Sequence, residues 1–169
     1  MKKFELVAEL SKEFFGRKLF RIRALISFGD VSKGDLGGWI EKEVCVDQSG
    51  NAWVYGNAWV SGDARVYGNA QVSGNARVYG DAWVYGNAQV SGNAHHITVS
   101  PIGSEGGCLT AFRQKDNSIV VRRGCFSGSI EEFEGAVNAT HGDSKYAEQY
   151  KIVIALIKYR LESVEQSND

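Results

Sequence analysis

Between Asn51 and Ala94 small apolar and polar residues recur with a period of six. The run reads NAWVYG, NAWVSG, DARVYG, NAQVSG, NARVYG, DAWVYG, NAQVSG, then a broken eighth unit, NAHHIT. Ala and Val sit two residues apart in each unit, as at Ala52 and Val54 or Ala58 and Val60. Both therefore face one side of a short strand, and the residue between them faces the other. Gly followed by Asn or Asp closes each unit, and these residues tolerate the positive φ of a tight corner. One strand and one corner per unit predict a solenoid with Ala and Val stacked inside. Corner Asn and Asp side chains are placed to bond from one coil to the next.

The flanking segments lack this period, which divides the chain into three parts: an N-terminal cap (1–50), the hexapeptide run (51–97) and a C-terminal subdomain (98–169). In the cap, Leu19, Ile22 and Leu25 are apolar, and Leu36 to Ile40 reads as a turn leading into a strand. Such a cap covers the apolar end and strand edges of a first coil. In the C-terminal part, Gly107 to Arg113 and Ile119 to Gly124 read as a hairpin around Gln114 to Ser118. A centre between Asp116 and Asn117 sets Cys108 opposite Cys125, as buried small apolar residues rather than a redox pair. Ser129 to Glu132 is a capping box that starts a helix from Ile130 to Thr140, stopping at Gly142. Asp143 or Ser144 caps a longer helix, in which Tyr146, Tyr150, Val153, Ile154, Ile157 and Leu161 recur at helical spacing.

The hexad run resembles the hexapeptide-repeat proteins of the left-handed parallel β-helix family, in which three hexads complete a triangular coil. Val takes the aliphatic inward position and Ala the small inward position four residues later, as from Val54 to Ala58. Tyr or Ser follows the aliphatic residue, at Tyr55, Ser61, Tyr67 and Ser73, where the family has a small residue; this makes the outer walls aromatic. The resemblance implies a mainly β fold: a left-handed parallel β-helix with an N-terminal cap and a C-terminal β-hairpin plus two-helix α+β subdomain. Combined with the stretch from Phe20 to Trp39, it also resembles bacteriophage and prophage proteins that carry such repeats. The threefold assembly usual in the hexapeptide-repeat family implies a homotrimer, and the phage-like resemblance implies the host cell cytoplasm.

Composition narrows the field. A net charge of −1 gives no strong nucleic-acid signal. Met1 to Leu10 is charged and amphipathic, unlike a signal peptide, and no segment is apolar for long enough to span a membrane. Cys45, Cys108 and Cys125 are an odd number, which argues against a secreted disulfide framework and for the cytoplasm.

With eighteen residues to a coil, Trp53 stacks with Gln71 and Gln89, Trp59 with Arg77 and His95, and Arg65 with Trp83. Tyr67 lies above Tyr85, and Tyr79 near Arg77. Large aromatics are not left in water. They form a subunit interface, or line a cleft between subunits in which a ring stacks a base and arginine holds phosphate; the two can coexist. The ligand-binding candidates on these walls are Trp59, Arg65, Arg77, Tyr79 and Trp83. Arg122, Arg123 and Ser127, ahead of the capped helix, make a second candidate anion site. The alternative there is a solvated hairpin edge and an ordinary cap.

Catalytic signals are sparse. Adjacent His95 and His96 on a strand point to opposite sides, so no three ligands converge and no metal site is expected. A hexapeptide-type acyltransferase needs one general-base histidine, which leaves His95 and His141 as catalytic candidates, although His141 sits in an interhelical turn where histidine is ordinarily structural. There is no nucleophile elbow, carboxylate pair or Cys–His signature, and no cofactor is implied. The residues point to a non-enzymatic, oligomeric, phage-type binding protein. Its ligand would be small and anionic, such as a nucleotide-like host-defence signal to be sequestered, or its partner a host defence protein to be inhibited. The alternatives are an acyltransferase-like enzyme using an acyl-coenzyme donor, and a structural self-assembling protein.

Overall fold

A computed structural model describes residues 1–162, so the end of the C-terminal subdomain, 163–169, lies outside the described residues. The chain forms two units, residues 1–93 and 94–169.

The first unit opens with a hairpin of β1 (Phe4–Phe14) and β2 (Arg17–Ala24). Phe15 and Gly16, the two turn residues, both have positive φ, 48° and 73°. That pair defines the turn whose twist matches flanking strands. β3 (Leu36–Ile40) runs antiparallel to β2 on one side and parallel to the short strand Trp59–Val60 on the other. It can do so because Gly37 and Gly38 carry no side chain: a Cβ on Gly38 would lie 2.5 Å from Val54 Cγ1 and 2.6 Å from the Ala58 carbonyl oxygen.

Each hexad then gives a strand of two residues: β4 (Trp53–Val54), β5 (Trp59–Val60), β6 (Arg65–Val66), β7 (Gln71–Val72), β8 (Arg77–Val78), β9 (Trp83–Val84) and β10 (Gln89–Val90). These strands pair in parallel as β4–β7–β10, β5–β8 and β6–β9, which sets Trp53 beside Gln71, Trp59 beside Arg77 and Arg65 beside Trp83. Every Ala and Val of the run from Ala52 to Val90 is buried. At the corners Asn51 Nδ2 donates to Asn69 Oδ1 at 3.2 Å, and Asn69 Nδ2 to Asn87 Oδ1 at 3.4 Å. Lys3 ties the start of the chain to this run. Its ammonium donates to the carbonyls of Ser49, Gly50 and Ala52 at 3.3, 3.4 and 2.8 Å and lies 4.8 Å from the centre of the Phe28 ring. Burial lowers its pKa to about 8 against the opposing field of Asp47.

The left-handed parallel β-helix expected from the repeat is not what the structure shows. Among the described residues the strands form four separate sheets, of five, three, four and two strands, and none closes on itself. The largest is mixed: antiparallel through β1–β2–β3 and parallel through β3–β5–β8. Two-residue strands that end at a glycine corner are too short to build a continuous wall. The strands of the N-terminal segment extend one of the repeat's ladders.

In the second unit, β11 (His96–Ile102), β12 (Gly107–Arg113), β13 (Ile119–Arg123) and β14 (Phe126–Ser129) form an antiparallel meander. The expected hairpin is its middle, with one further strand on each side. Helices α1 (Ile130–His141) and α2 (Lys145–Glu162) follow. Leu109, Ala111 and Val121 of the sheet share a core with Phe133 and Val137 of α1 and with Tyr150, Ile154, Ile157 and Leu161 of α2. Phe133 meets Tyr150 edge-on at 5.5 Å. Glu132 N–H donates to Ser129 Oγ at 3.2 Å and Ser129 N–H to Glu132 Oε2 at 2.8 Å, a closed capping box. Ser144 Oγ accepts from Ala147 N–H at 3.4 Å and caps α2.

The cysteine expectation fails by one step of register. Leu109 faces Arg123, and Asn117, with φ 67°, sits in a loop that shifts the pairing. Cys125 therefore falls in the turn after β13, where it is exposed, and the two cysteines form no disulfide. No helix among the described residues is long and apolar enough to cross a membrane.

Candidate functional site

Two outward-facing aromatics of the first unit, Trp53 and Trp59, are covered by residues from before the repeat. Trp53 is fully buried, with Phe4 and Phe28 edge-on at 5.9 and 5.3 Å. Phe14, at the tip of the hairpin, meets Trp59 at 5.1 Å. Trp53 and Trp59 thus have cover from their own chain.

One face of the largest sheet carries a column of Trp39, Trp59 and Arg77 on β3, β5 and β8. Tyr79 stacks on Trp59 at 6.2 Å, with 26° between the rings. The Arg77 guanidinium lies 5.8 Å from the Trp59 ring centre and 5.4 Å from that of Phe14. Two more cations come from the hairpin. Lys12 Nζ is 4.2 Å above Trp39, and the Arg21 guanidinium, on the residue facing Trp39, is 5.4 Å from the same ring. Burial, reinforced by the fields of Arg21 and Arg77, pulls the Lys12 pKa below the ordinary lysine value. Glu41 lies two residues beyond Trp39 and is already engaged, by Arg17 Nη1 at 2.8 Å and Gly62 N–H at 2.6 Å. Burial raises its pKa, but those two bonds outweigh burial and hold the carboxyl below its usual range.

A second feature lies on the β6–β9 ladder. Arg65, Tyr67 and Trp83 line a cavity of about 690 Å³ together with Glu43, Asp47 and Gln48. Its polar groups are largely committed. Arg65 Nη1 donates to the Val44 carbonyl at 3.1 Å, Glu43 accepts from Lys2 and Gln48, and Asp47 accepts from Ser49. Tyr67 stacks on Tyr85 at 5.1 Å and meets Trp83 edge-on at 5.8 Å.

Residues 70–86 match the family model described as YdcK Beta solenoid repeat. The match falls inside the hexad run and identifies it as a β-solenoid type of repeat over those residues, with no bearing on what the chain binds. No curated protein matches the chain.

The expected site residues are thus divided. Trp59, Arg77 and Tyr79 converge on one face, whereas Arg65 and Trp83 line the cavity on another ladder. Arg122, Arg123 and Ser127 belong to the C-terminal sheet, where Arg122 is opposite Thr110 and Ser127. Arg123 Nη2 donates to the Ile102 carbonyl at 3.0 Å and so serves the sheet. The first turn of α1 holds Glu131 and Glu132 and is capped by Ser129, so a protein carboxylate already sits where an anion would. His141 is stacked on Tyr150 at 5.5 Å and 28°, and His95 lies in a short 3-10 turn, Asn93–His95, outside the parallel ladders. No cluster of three His, Cys, Asp or Glu side chains among the described residues could hold a metal.

Lys12, Phe14, Arg21 and Trp39 were not singled out from the sequence. Their signal is a period of two, Lys12 with Phe14, placing a cation beside a ring on one strand face. A hairpin reading of residues 4–24 was needed to bring them together.

Proposed function

We propose that the chain is a non-enzymatic binding protein whose Trp59–Arg77–Tyr79 face takes an anionic, ring-bearing ligand of the nucleotide class. The observation that carries this is Arg77: it lies over two aromatic rings, and no carboxylate among the described residues pairs with it. Arginine offers a planar fork to phosphate oxygens, and an exposed ring offers a face to a base. Tyr79 is 59% exposed and gives such a face beside the guanidinium. In the phage setting that the repeat resembles, the ligand would be a host-defence signal, held and not converted. Self-association, as a trimer, belongs to the same reading and is checked by light scattering at micromolar concentration.

An acyltransferase-like activity is less well supported, because His141 is committed to ring stacking and His95 to a turn. Calorimetry of the full chain against a nucleotide panel, with the recovered ligand weighed by mass spectrometry, tests the binding reading. The expected result is binding of intact ligand, weakened about tenfold or more in Tyr79→Ala, as loss of one base-stacking ring predicts. Absence of binding across the panel, or turnover of an acyl donor that is lost in His95→Ala, would overturn it. A protein partner would then become the leading reading.

A further inference from the structure

Three cations gather on the Trp39–Trp59 face, and two of them come from the N-terminal hairpin. Lys12 and Arg21 share the Trp39 ring, while Arg77 lies over Trp59 on the next strand. Among the described residues none of the three side chains makes an ion pair or donates a hydrogen bond to a protein acceptor. Two nearby carboxylates, Glu41 and Glu5, are spent on Arg17 and Arg23. The Nε of Arg21 is buried and has no acceptor. A buried N–H without an acceptor costs free energy, and so do like charges gathered over a partly desolvated surface. Neither cost is fully offset within this unit. The ring faces offset part of the charge, yet they leave the N–H directions of two guanidinium forks open.

We propose that Lys12, Arg21 and Arg77, seated on Trp39 and Trp59, form a binding site for a linked phosphate group of at least two phosphoryl units, such as a diphosphate or triphosphate moiety. The proposal rests on the reading of this face as a binding face and adds which part of the ligand it holds. Trp39 and Trp59 occupy neighbouring strands, about 4.8 Å apart, so the cations over the two rings form two subcentres rather than one. A single phosphate reaches one of them, whereas a linked pair bridges both. Arginine matches two phosphate oxygens at once, and lysine contributes a point charge between the two guanidinium groups. The hairpin therefore does more than extend the sheet, since without β1 and β2 only Arg77 would remain.

The test is calorimetry of the full chain with orthophosphate, pyrophosphate and tripolyphosphate. Affinity should rise at least tenfold from orthophosphate to pyrophosphate, rise again to tripolyphosphate, and fall with added salt. Lys12→Met and Arg21→Met, which keep an apolar stem over Trp39, should each weaken pyrophosphate binding tenfold or more. Lys33→Met, an exposed lysine outside the cluster, should leave it unchanged. If Arg21→Met fails to fold, Lys12→Met decides alone. Equal affinity for the three phosphates, no heat with any of them, or an undiminished affinity in Lys12→Met would overturn the proposal. Pyrophosphate binding through Lys12 with no gain from a nucleoside would sink the base-stacking reading alone. Nucleotide binding that needs Tyr79 but ignores Lys12 and Arg21 would sink this one alone.

Discussion

The hexad run buries apolar surface with the smallest side chains that suffice, Ala and Val in columns, and lets backbones approach closely to do it. The C-terminal unit relies on large side chains, with Phe133, Tyr150, Ile157 and Leu161 meeting between two helices and a sheet. In the first region many near-identical contacts share the stability, and the hydrogen bonds of two-residue strands fix which positions stand side by side. In the second, a few aromatic and long aliphatic residues carry the core. The difference teaches that a simple repeat specifies position well but leaves little interior to work with. Large residues are forced outward, where chemistry and cover must come from elsewhere in the chain.

The sharpest way to break this contrast is to place a charge in the small-residue column. Val72→Asp puts a carboxylate at a fully buried position with no cation beside it, and a loss of about 5 kcal/mol or more is expected. Circular dichroism and solubility should show an unfolded or aggregated first unit; a folded, soluble protein would contradict the packing. Next in size is Phe133→Ala in the other core, where truncating a buried aromatic costs about 3–5 kcal/mol. Chemical denaturation measures it, and a change below about 1 kcal/mol would mean that the second core does not depend on its large residues. Ser129→Ala, which opens the capping box, should cost about 1 kcal/mol, read in the same experiment.

A further effect sharpens the comparison through pH. Folded Lys3 releases its proton near pH 8, whereas an unfolded lysine does so near 10.5. Between those values the unfolded chain binds more protons, so stability should rise with pH from about 8 to 10.5, with the full cost of the buried ammonium present below pH 8. Lys3→Met should flatten that slope in urea unfolding measured across the range. Identical slopes in the two proteins would show that burial of Lys3 does not set it.

What the sequence made legible followed from local period. The alternation of Ala and Val marked residues that are all buried, the spacing of eighteen gave the Trp53–Gln71 and Arg65–Trp83 neighbours, and the capping box placed α1. What it did not make legible depended on distant pairing. β1 is long, yet only Phe4 and Val7 are buried in it, and an irregularity between Val7 and Ser11 breaks its alternation. β14 reads Phe-Ser-Gly-Ser, the composition of a loop, and becomes a strand because β13 offers an edge. The candidate site was half visible for the same reason: Trp59, Arg77 and Tyr79 lie within the repeat, while the side chains that join them come from the hairpin. The outward rings were expected to meet another subunit or a ligand, but for Trp53 and Trp59 the chain supplies cover itself.

All four tryptophans, Trp39, Trp53, Trp59 and Trp83, belong to the first unit. The two α-helices of the described residues belong to the second. Nature has thus fitted the protein with separate optical labels: indole emission follows one unit, and the helical band of the far-UV circular dichroism follows chiefly the other. Recording both through one melt would show whether the units come apart together or in turn, without attaching a dye or cutting the chain.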